Sequence, residues 1–269
     1  TSRIALGERG LIRASHHGGT LVATGAEEFK PAMYLYGEDP RVVTQLELEE
    51  EIQAGSDRLN QCNTLVMIQC VGSRDEERPY CSRFCCSQAV KNALRLKELN
   101  PAMEIYVLYR DMRTYGFRED YYRQAAEKGV VFIRYEAEDK PDVTVVQEEG
   151  RSVLRVIVTE PTLAGRLMID ADLVALAAAA IPSRENKPLS QLLKVPLNED
   201  GFFMEAHMKL RPVDFATEGI FMCGTAHSPK FIDESIAQAQ AAASRALTIL
   251  AQAELKAGGP VCSVTARRC

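Results

Sequence analysis

From Thr64 to Ile68 the chain is an unbroken run of apolar and β-branched residues, and from Ala89 the apolar positions return with the spacing of a helix. Between them lie Cys70-Val71-Gly72-Ser73 and a charged stretch, so the pattern predicts a strand, a loop and a helix running to Leu99. The alternation continues with a strand over 104–110 (EIYVLYR), a helix over about 119–128 stopped by Gly129, and a strand over 130–135. A β-α-β-α-β order implies a parallel sheet with right-handed crossovers. Period-two runs over 143–147, 152–159 and 166–169 then predict a β-meander, followed by an apolar strand over 173–177. The predicted class is α/β: a Rossmann-like nucleotide-binding domain carrying a β-meander.

Upstream, RIALG, GLIRAS and TLVAT within residues 3–24 read as three short strands of a small meander. Residues 26–61 carry Lys30-Pro31, Gly37 and Asp39-Pro40 and read as a linker, with a helix from Thr44 announced by a Thr44/Glu47 capping box. Beyond Pro182 polarity rises until a strand at 219–224, followed by an alanine-rich helix over about 233–253. Its alanines permit close helix–sheet contact, and its first-turn amides suit a ligand with partial negative charge. A Gly/Pro-containing tail ends in a strand-like run, Val261 to Val264.

Composition narrows the chemistry. A net charge of −5 with no long basic run argues against nucleic acid as a partner. The most apolar segment, Leu173 to Pro182, is too short to span a bilayer, and no secretory signal is visible, so a cytoplasmic setting is expected. Eight cysteines without such a signal point to metal or redox chemistry rather than a disulfide framework. Cys70, Cys81, Cys85 and Cys86 cluster as C-x10-C-x3-C-C in the strand-to-helix loop, where a dinucleotide-binding unit would carry glycines. Cys62, Cys223, Cys262 and Cys269 are scattered and read as ordinary thiols. Zinc sites usually come as paired CxxC-like knuckles, which this spacing does not supply; a cubane cluster needs four thiolates and tolerates varied spacing. Unligated buried thiols are the remaining alternative. Arg74, Arg78 and Arg83 lie among the four and would either offset thiolate charge or sit solvated in the loop.

CVGSRDEERPYCSRFCC (70–86), LYRDMRTYG (108–116) and KLRPVDFATEGIFMCGTAHSPKFIDESIAQAQAAA (209–243) together resemble the family of heterodisulfide reductase A subunits, over about Gly19 to Leu250. The resemblance implies a thioredoxin-reductase-like flavo-iron–sulfur protein that passes electrons within a complex reducing a heterodisulfide or a related acceptor. It makes Cys70, Cys81, Cys85 and Cys86 ligands of a [4Fe–4S] cluster. It sets Thr24, Gly25, Gly224, Thr225, Lys230 and Ser235 around FAD, with Lys230 placed to stabilise an anionic reduced flavin. The domains it implies are a partial FAD-binding domain over 1–48 and 181–255, an inserted NAD-binding-like domain over 49–180 with the cysteines, and a tail over 256–269 leading to a ferredoxin-like region. Other reductase subunits or electron-donor proteins are the implied partners, with a homodimer also possible.

Two departures stand out: no GxGxxG flavin fingerprint precedes the chain's strands, and Thr225 stands where disulfide reductases carry an Asp. The chain opens on Thr1 in a β-rich stretch, and Cys269 has the place of a first ferredoxin-type ligand. Together these predict an internal piece of a longer protein, with an incomplete FAD site and no activity of its own. His227 falls with Lys230 at the expected cofactor edge, Tyr115-Gly116 fits a partner surface or a plain βα turn, and His16-His17 reads as a turn. Two other classes are weighed against this reading. An NAD(P)H-dependent disulfide oxidoreductase needs a CxxC or CxxxxC pair and a glycine loop in the 64–96 unit, and neither is there. A cofactor-free interaction domain has no use for four clustered thiols.

Overall fold

In the computed structural model, residues 2–5, 12–15, 17–148, 150–162 and 165–252 are described. The strands are β1 (Ser2–Ala5), β2 (Ile12–Ser15), β3 (Thr20–Val22), β4 (Ala26–Glu28), β5 (Val42–Thr44), β6 (Thr64–Val71), β7 (Glu104–Tyr109), β8 (Val131–Arg134), β9 (Asp142–Glu148), β10 (Arg151–Glu160), β11 (Gly165–Ala171), β12 (Leu173–Ala178), β13 (Ala180–Pro182) and β14 (Ile220–Met222). The α-helices are α1 (Gln45–Ala54), α2 (Asp57–Gln61), α3 (Cys85–Leu99), α4 (Glu119–Glu127), α5 (Asn186–Leu193) and α6 (Ile232–Leu250). They form two compact units, one of residues up to Thr24, Glu185–His227 and from Asp233 onward, the other of Gly25–Arg184 and Ser228–Ile232.

The larger unit is built on a five-stranded parallel sheet in the order β5-β12-β6-β7-β8. Strands covered on both faces must be apolar at successive positions, which is why β6 and β12 read as continuous hydrophobic runs. Their side chains still alternate. Leu65 and Met67 of β6 pack with Leu48, Ala89, Val90, Ala93 and Leu96 on the helical side. Val66 and Ile68 pack with Val143, Leu154, Val156 and Ile169 of the antiparallel β9-β10-β11 meander on the other. The predicted β-α-β-α-β core and meander are both present, and the class is Rossmann-like α/β.

The local pattern fails where a strand's partner is remote in sequence. The predicted meander of residues 3–24 is instead a β1–β2 antiparallel pair, while β3 runs parallel to β14. The predicted linker of 26–61 contributes β4, which pairs with β13, and β5, an edge of the parallel sheet. Those two pairings put residues 25–48 in the larger unit, so the limit expected at 48/49 falls at Thr24/Gly25. The polar stretch after Pro182 holds α5, which the alternation did not announce. The tail over 256–269, with Cys262 and Cys269, lies outside the described residues, as does His16.

In the smaller unit α6 packs Ala242 and Ala246 against Phe221 and Cys223 of the β14 region, so alanine does allow the close approach expected of it. Asp214, buried beneath it, is held by Arg245 at 2.9 Å and Arg211 at 3.5 Å. Among the described residues no helix is long and apolar enough to cross a membrane.

The α1 capping box is formed as predicted. Thr44 Oγ1 accepts from the Glu47 N–H at 3.2 Å, and the Glu47 carboxylate accepts from the Thr44 N–H at 2.8 Å. Partial burial of Glu47 opposes its charge, but the Thr44 N–H, the Tyr36 hydroxyl (2.7 Å) and Lys30 (3.1 Å) outweigh it and hold the carboxyl below the ordinary 4.5. Thr44→Ala should lower the unfolding free energy in urea at pH 7 by about 1 kcal/mol. A depressed pKa contributes stability that is present above 4.5 and lost as the pH falls through the folded value. The deficit of Glu47→Gln against wild type should therefore shrink below that pH.

Candidate metal centre and cofactor edge

Two backbone devices shape the end of β6. Ile68 pairs with Leu176 and Val71 with Ala178, so three steps along β6 answer two along β12, which is a β-bulge over Gln69 and Cys70. Cys70 takes φ +61°, Arg74 +57° and Arg83 +63°, three of the six non-glycine left-handed residues among those described, all in the loop that carries the cysteines. Such positions persist only where the surroundings impose them, and they gather at functional sites.

Gly72, at φ +72°, is the one position in the turn where only glycine fits, because a Cβ would run into the Phe29 ring. Arg78 stacks on that ring at 4.2 Å and donates from Nε to the Gly72 carbonyl at 2.5 Å. Arg78 is therefore a structural brace. The loop also satisfies several of its own amides. Arg74 N–H donates to Tyr80 O (3.1 Å), Asp75 N–H to Arg78 O (3.2 Å) and Arg78 N–H to Asp75 Oδ1 (2.7 Å). Tyr80 Oη donates to Ala180 O at 3.0 Å, and Ser82 Oγ accepts from the Ala180 N–H at 3.0 Å, tying the loop to β13.

This frame brings the four cysteines to one end of the sheet. Cys85 and Cys86 occupy the first turn of α3 and are buried, while Cys70 and Cys81 are half-buried. The Cys81 sulfur accepts from the Arg83 N–H at 3.3 Å, Cys70 has Arg74 Nη1 at 3.9 Å, and Cys86 accepts from the Arg113 backbone. The hydrogen bond between Cys85 and Cys86 raises the first thiol and, against the cost of burial, lowers the second to about 7. Cys86 is the readiest thiolate, helped by its place at a helix N-terminus. Burial first, then Cys86, push Cys70 upward, with Arg74 opposing. Arg74 is itself fixed by Asp111 at 2.6 Å, whose carboxyl it holds below the usual range.

Among the described residues no three His, Cys, Asp or Glu side chains are set as a ready site for a metal ion. The donor set nonetheless fits a group that binds thiolates. Four sulfurs interact electrostatically with one another, three of them face N–H groups, and Gln69 and Ser73, on either side of Cys70 in the chain, are buried with side-chain polar atoms that meet no partner. Sequence reasoning passed over Gln69, Ser73 and Asp111; the signal it had was a glutamine closing an otherwise apolar buried strand.

The residues expected around a flavin divide between the units. Thr24, Gly224, Thr225 and Ser235 belong to the smaller, Gly25 and Lys230 to the larger. Within the smaller unit, Thr24 and Gly224 lie just past the C-terminal ends of the paired parallel strands β3 and β14, the edge where α/β sheets bind ligands. Thr24 Oγ1 donates to Asn186 Oδ1 at 2.7 Å. Gly224 has φ +72°, and a Cβ there would meet nothing within 4 Å, which leaves room for a ligand to approach the backbone. Its N–H donates to Gln238 Oε1 at 2.9 Å. That fixes the Gln238 amide, whose Nε2 faces His227 Nδ1 at 2.9 Å, while His227 Nε2 faces Glu205 at 2.8 Å. The chain of donors assigns His227 a proton on Nε2 and a lone pair on Nδ1.

Asp233 and Glu234 open α6, so its N-terminus favours a polar uncharged group over an anionic one. Lys230 is buried, with Nζ donating to Ser228 O at 2.9 Å, so it is not a surface residue. Tyr115 is half-exposed; its hydroxyl accepts from Arg83 at 2.7 Å and its ring meets Phe231 edge-on.

No family model matches the chain. It is 38% identical over 272 residues to the A subunit of the ferredoxin:CoB-CoM heterodisulfide reductase of Methanosarcina acetivorans, covering 85% of this chain and 33% of that protein. It is 38% identical over 256 residues to the iron-sulfur A subunit of the CoB–CoM heterodisulfide reductase of Methanocaldococcus jannaschii, covering 88% and 38%. The chain thus spans between a third and two fifths of the length of these curated relatives. Among solved structures it resembles the thioredoxin reductases of T. acidophilum (TM-score 0.52, 15% identity, 87% of this chain and 65% of that one) and Lactococcus lactis (0.53, 18%, 87% and 67%). At that identity the likeness concerns the fold.

Gly72→Ala should remove the turn that Phe29 and Arg78 enclose. We expect it to cost roughly 1–3 kcal/mol through overpacking and a left-handed φ. Thermal unfolding of the apoprotein reads this, and a melting temperature equal to wild type would show that the turn does not require glycine.

Proposed function

The chain belongs to the family of heterodisulfide reductase A subunits, and from that premise we propose that Cys70, Cys81, Cys85 and Cys86 hold a [4Fe–4S] cluster in an electron-transfer flavo-iron–sulfur oxidoreductase. The observation that carries the reading is the gathering of four sulfurs at the mouth of one strand-to-helix loop, with N–H donors aimed at three of them. The relatives' names add support, since that of the Methanocaldococcus jannaschii protein includes the word iron-sulfur. Such a cluster supplies one-electron exchange at low potential through iron bound by thiolates. The chain's own residues set its conditions. Burial of Cys85 and Cys86 excludes water, while Arg74 and the Arg83 and Arg113 amides offset the negative charge of the thiolates and raise the potential.

We further read Thr24, Gly224, Thr225 and Ser235 as part of an FAD site at the β3–β14 edge, with the open space beside Gly224 as its support. Gly25 and Lys230, in the larger unit, are assigned to flavin binding by the family resemblance alone. The partners of the reading are other components of a heterodisulfide reductase complex or an electron-donor protein, in the cytoplasm. A pyridine nucleotide finds no equivalent support. The 72–80 loop turns the Ser73, Arg74, Asp75 and Arg78 amides to acceptors within residues 70–80 and carries Asp75, Glu76 and Glu77, whose charge disfavours a pyrophosphate.

Two outcomes test this. Anaerobically reconstituted protein should take up iron and sulfide in the ratio of one cubane, and serine at any one of Cys70, Cys81, Cys85 or Cys86 should lower iron well below that level; full iron with an unchanged spectrum in all four variants would sink the ligand assignment. NADPH titrated into the chain in a calorimeter should give no saturable heat, whereas tight binding abolished by changes in the 72–80 loop would mean that the loop reads a dinucleotide after all.

A further inference from the structure

Gln69 is 1% exposed, yet neither its Nε2 nor its Oε1 meets a hydrogen-bond partner. Ser73, 2% exposed, leaves its Oγ equally alone. Buried polar groups are almost always paired, because desolvation without a replacement bond is costly. Gln45, a second buried glutamine, has an unpaired Nε2 but uses its Oε1, which accepts from Asn92 at 2.9 Å, so only Gln69 leaves its whole amide unpaired among the described residues.

The place of Gln69 explains what it lacks. Along β6 the residues Leu65 and Met67 face α3, packing with Ala89, Val90, Ala93 and Leu96, and the next residue of that register is Gln69. The bulge interrupts that register at Gln69 and Cys70, so Gln69 stands at the point where β6 turns into the loop, directly before Cys70, the first of the four thiols. Its backbone is fixed there, since its carbonyl accepts from the buried Tyr135 hydroxyl at 2.7 Å. One residue later the bulge turns the chain into the left-handed conformation of Cys70.

Resting on the cluster assignment above, we propose that the Gln69 amide and the Ser73 hydroxyl are positioning residues that donate hydrogen bonds to the sulfurs of the cluster held by Cys70, Cys81, Cys85 and Cys86. An iron–sulfur cluster presents sulfur acceptors only, and these two side chains hold N–H and O–H donors that the protein leaves unused. Hydrogen bonds to sulfur stabilise the more negative, reduced form and so raise the potential. In the apoprotein the polar atoms of these two side chains make no hydrogen bond.

The test compares wild type, Gln69→Leu and Ser73→Ala as full chains, reconstituted anaerobically to equal iron and sulfide and titrated electrochemically with electron paramagnetic resonance as the readout. At the poise that half-reduces wild type, Gln69→Leu should show a reduced-to-oxidised ratio about tenfold lower, equivalent to about 59 mV for a one-electron couple. Ser73→Ala should shift in the same direction by less. In urea the Gln69→Leu apoprotein should be at least as stable as wild type, since an unpaired buried amide is removed. Equal potentials at full iron in both variants would overturn the proposal and leave the cluster assignment standing. A Gln69→Leu apoprotein that unfolds more readily would also overturn it, by showing a structural role for the amide. Wild type that takes up no iron would overturn both readings.

Discussion

The candidate centre depends on how the chain leaves β6. A strand that kept its pleat past Ile68 would send successive side chains to opposite faces of the sheet and continue into the helical or the meander layer. The bulge at Gln69 and Cys70 breaks that rule, and the left-handed Cys70 turns the backbone at the edge of the sheet. A non-glycine residue in that region costs roughly 1–3 kcal/mol, and the surroundings that impose it are visible. Tyr135 holds the Gln69 carbonyl, Phe29 closes on Gly72, and Arg78 locks that ring to the Gly72 carbonyl. These contacts bring Cys70 towards a helix that starts on Cys85 and Cys86.

The same arrangement shows why the loop suits sulfur better than phosphate. In dinucleotide-binding units the turn after the first strand leaves amides free and places them at a helix N-terminus. Here the Ser73, Arg74, Asp75 and Arg78 amides are used within the loop, acidic side chains follow them, and the positive end of α3 falls on two buried thiols. A Rossmann-like frame is thus kept while the chemistry at its mouth changes. The fold's likeness to thioredoxin reductases and the chain's sequence relation to heterodisulfide reductase A subunits fit that division between scaffold and site.

Much of the larger unit was legible because its elements are local or strongly periodic. The two-sided apolar runs of β6 and β12, the helical spacing of α3 and the Thr44/Glu47 box each carry their cause within a few residues. The pairing of β3 with β14, of β4 with β13 and of β5 with β12 depends on segments more than a hundred residues apart, and no window of sequence contains both partners. The cysteines were legible as a cluster, but the bulge was not, since Gln69-Cys70 looks like the last two residues of an ordinary strand. Arg78 illustrates the converse: its position among the cysteines suggested charge compensation, and its actual contact is the Phe29 ring.

The central claim is that four thiolates of this one chain carry an iron–sulfur cubane. Iron K-edge X-ray absorption on the anaerobically reconstituted protein addresses it directly. The account predicts an iron shell made of sulfur at about the 2.3 Å typical of metal–thiolate bonds, together with strong iron–iron scattering from neighbouring metals. Iron bound to light oxygen or nitrogen atoms, or to sulfur without an iron–iron shell, would contradict it.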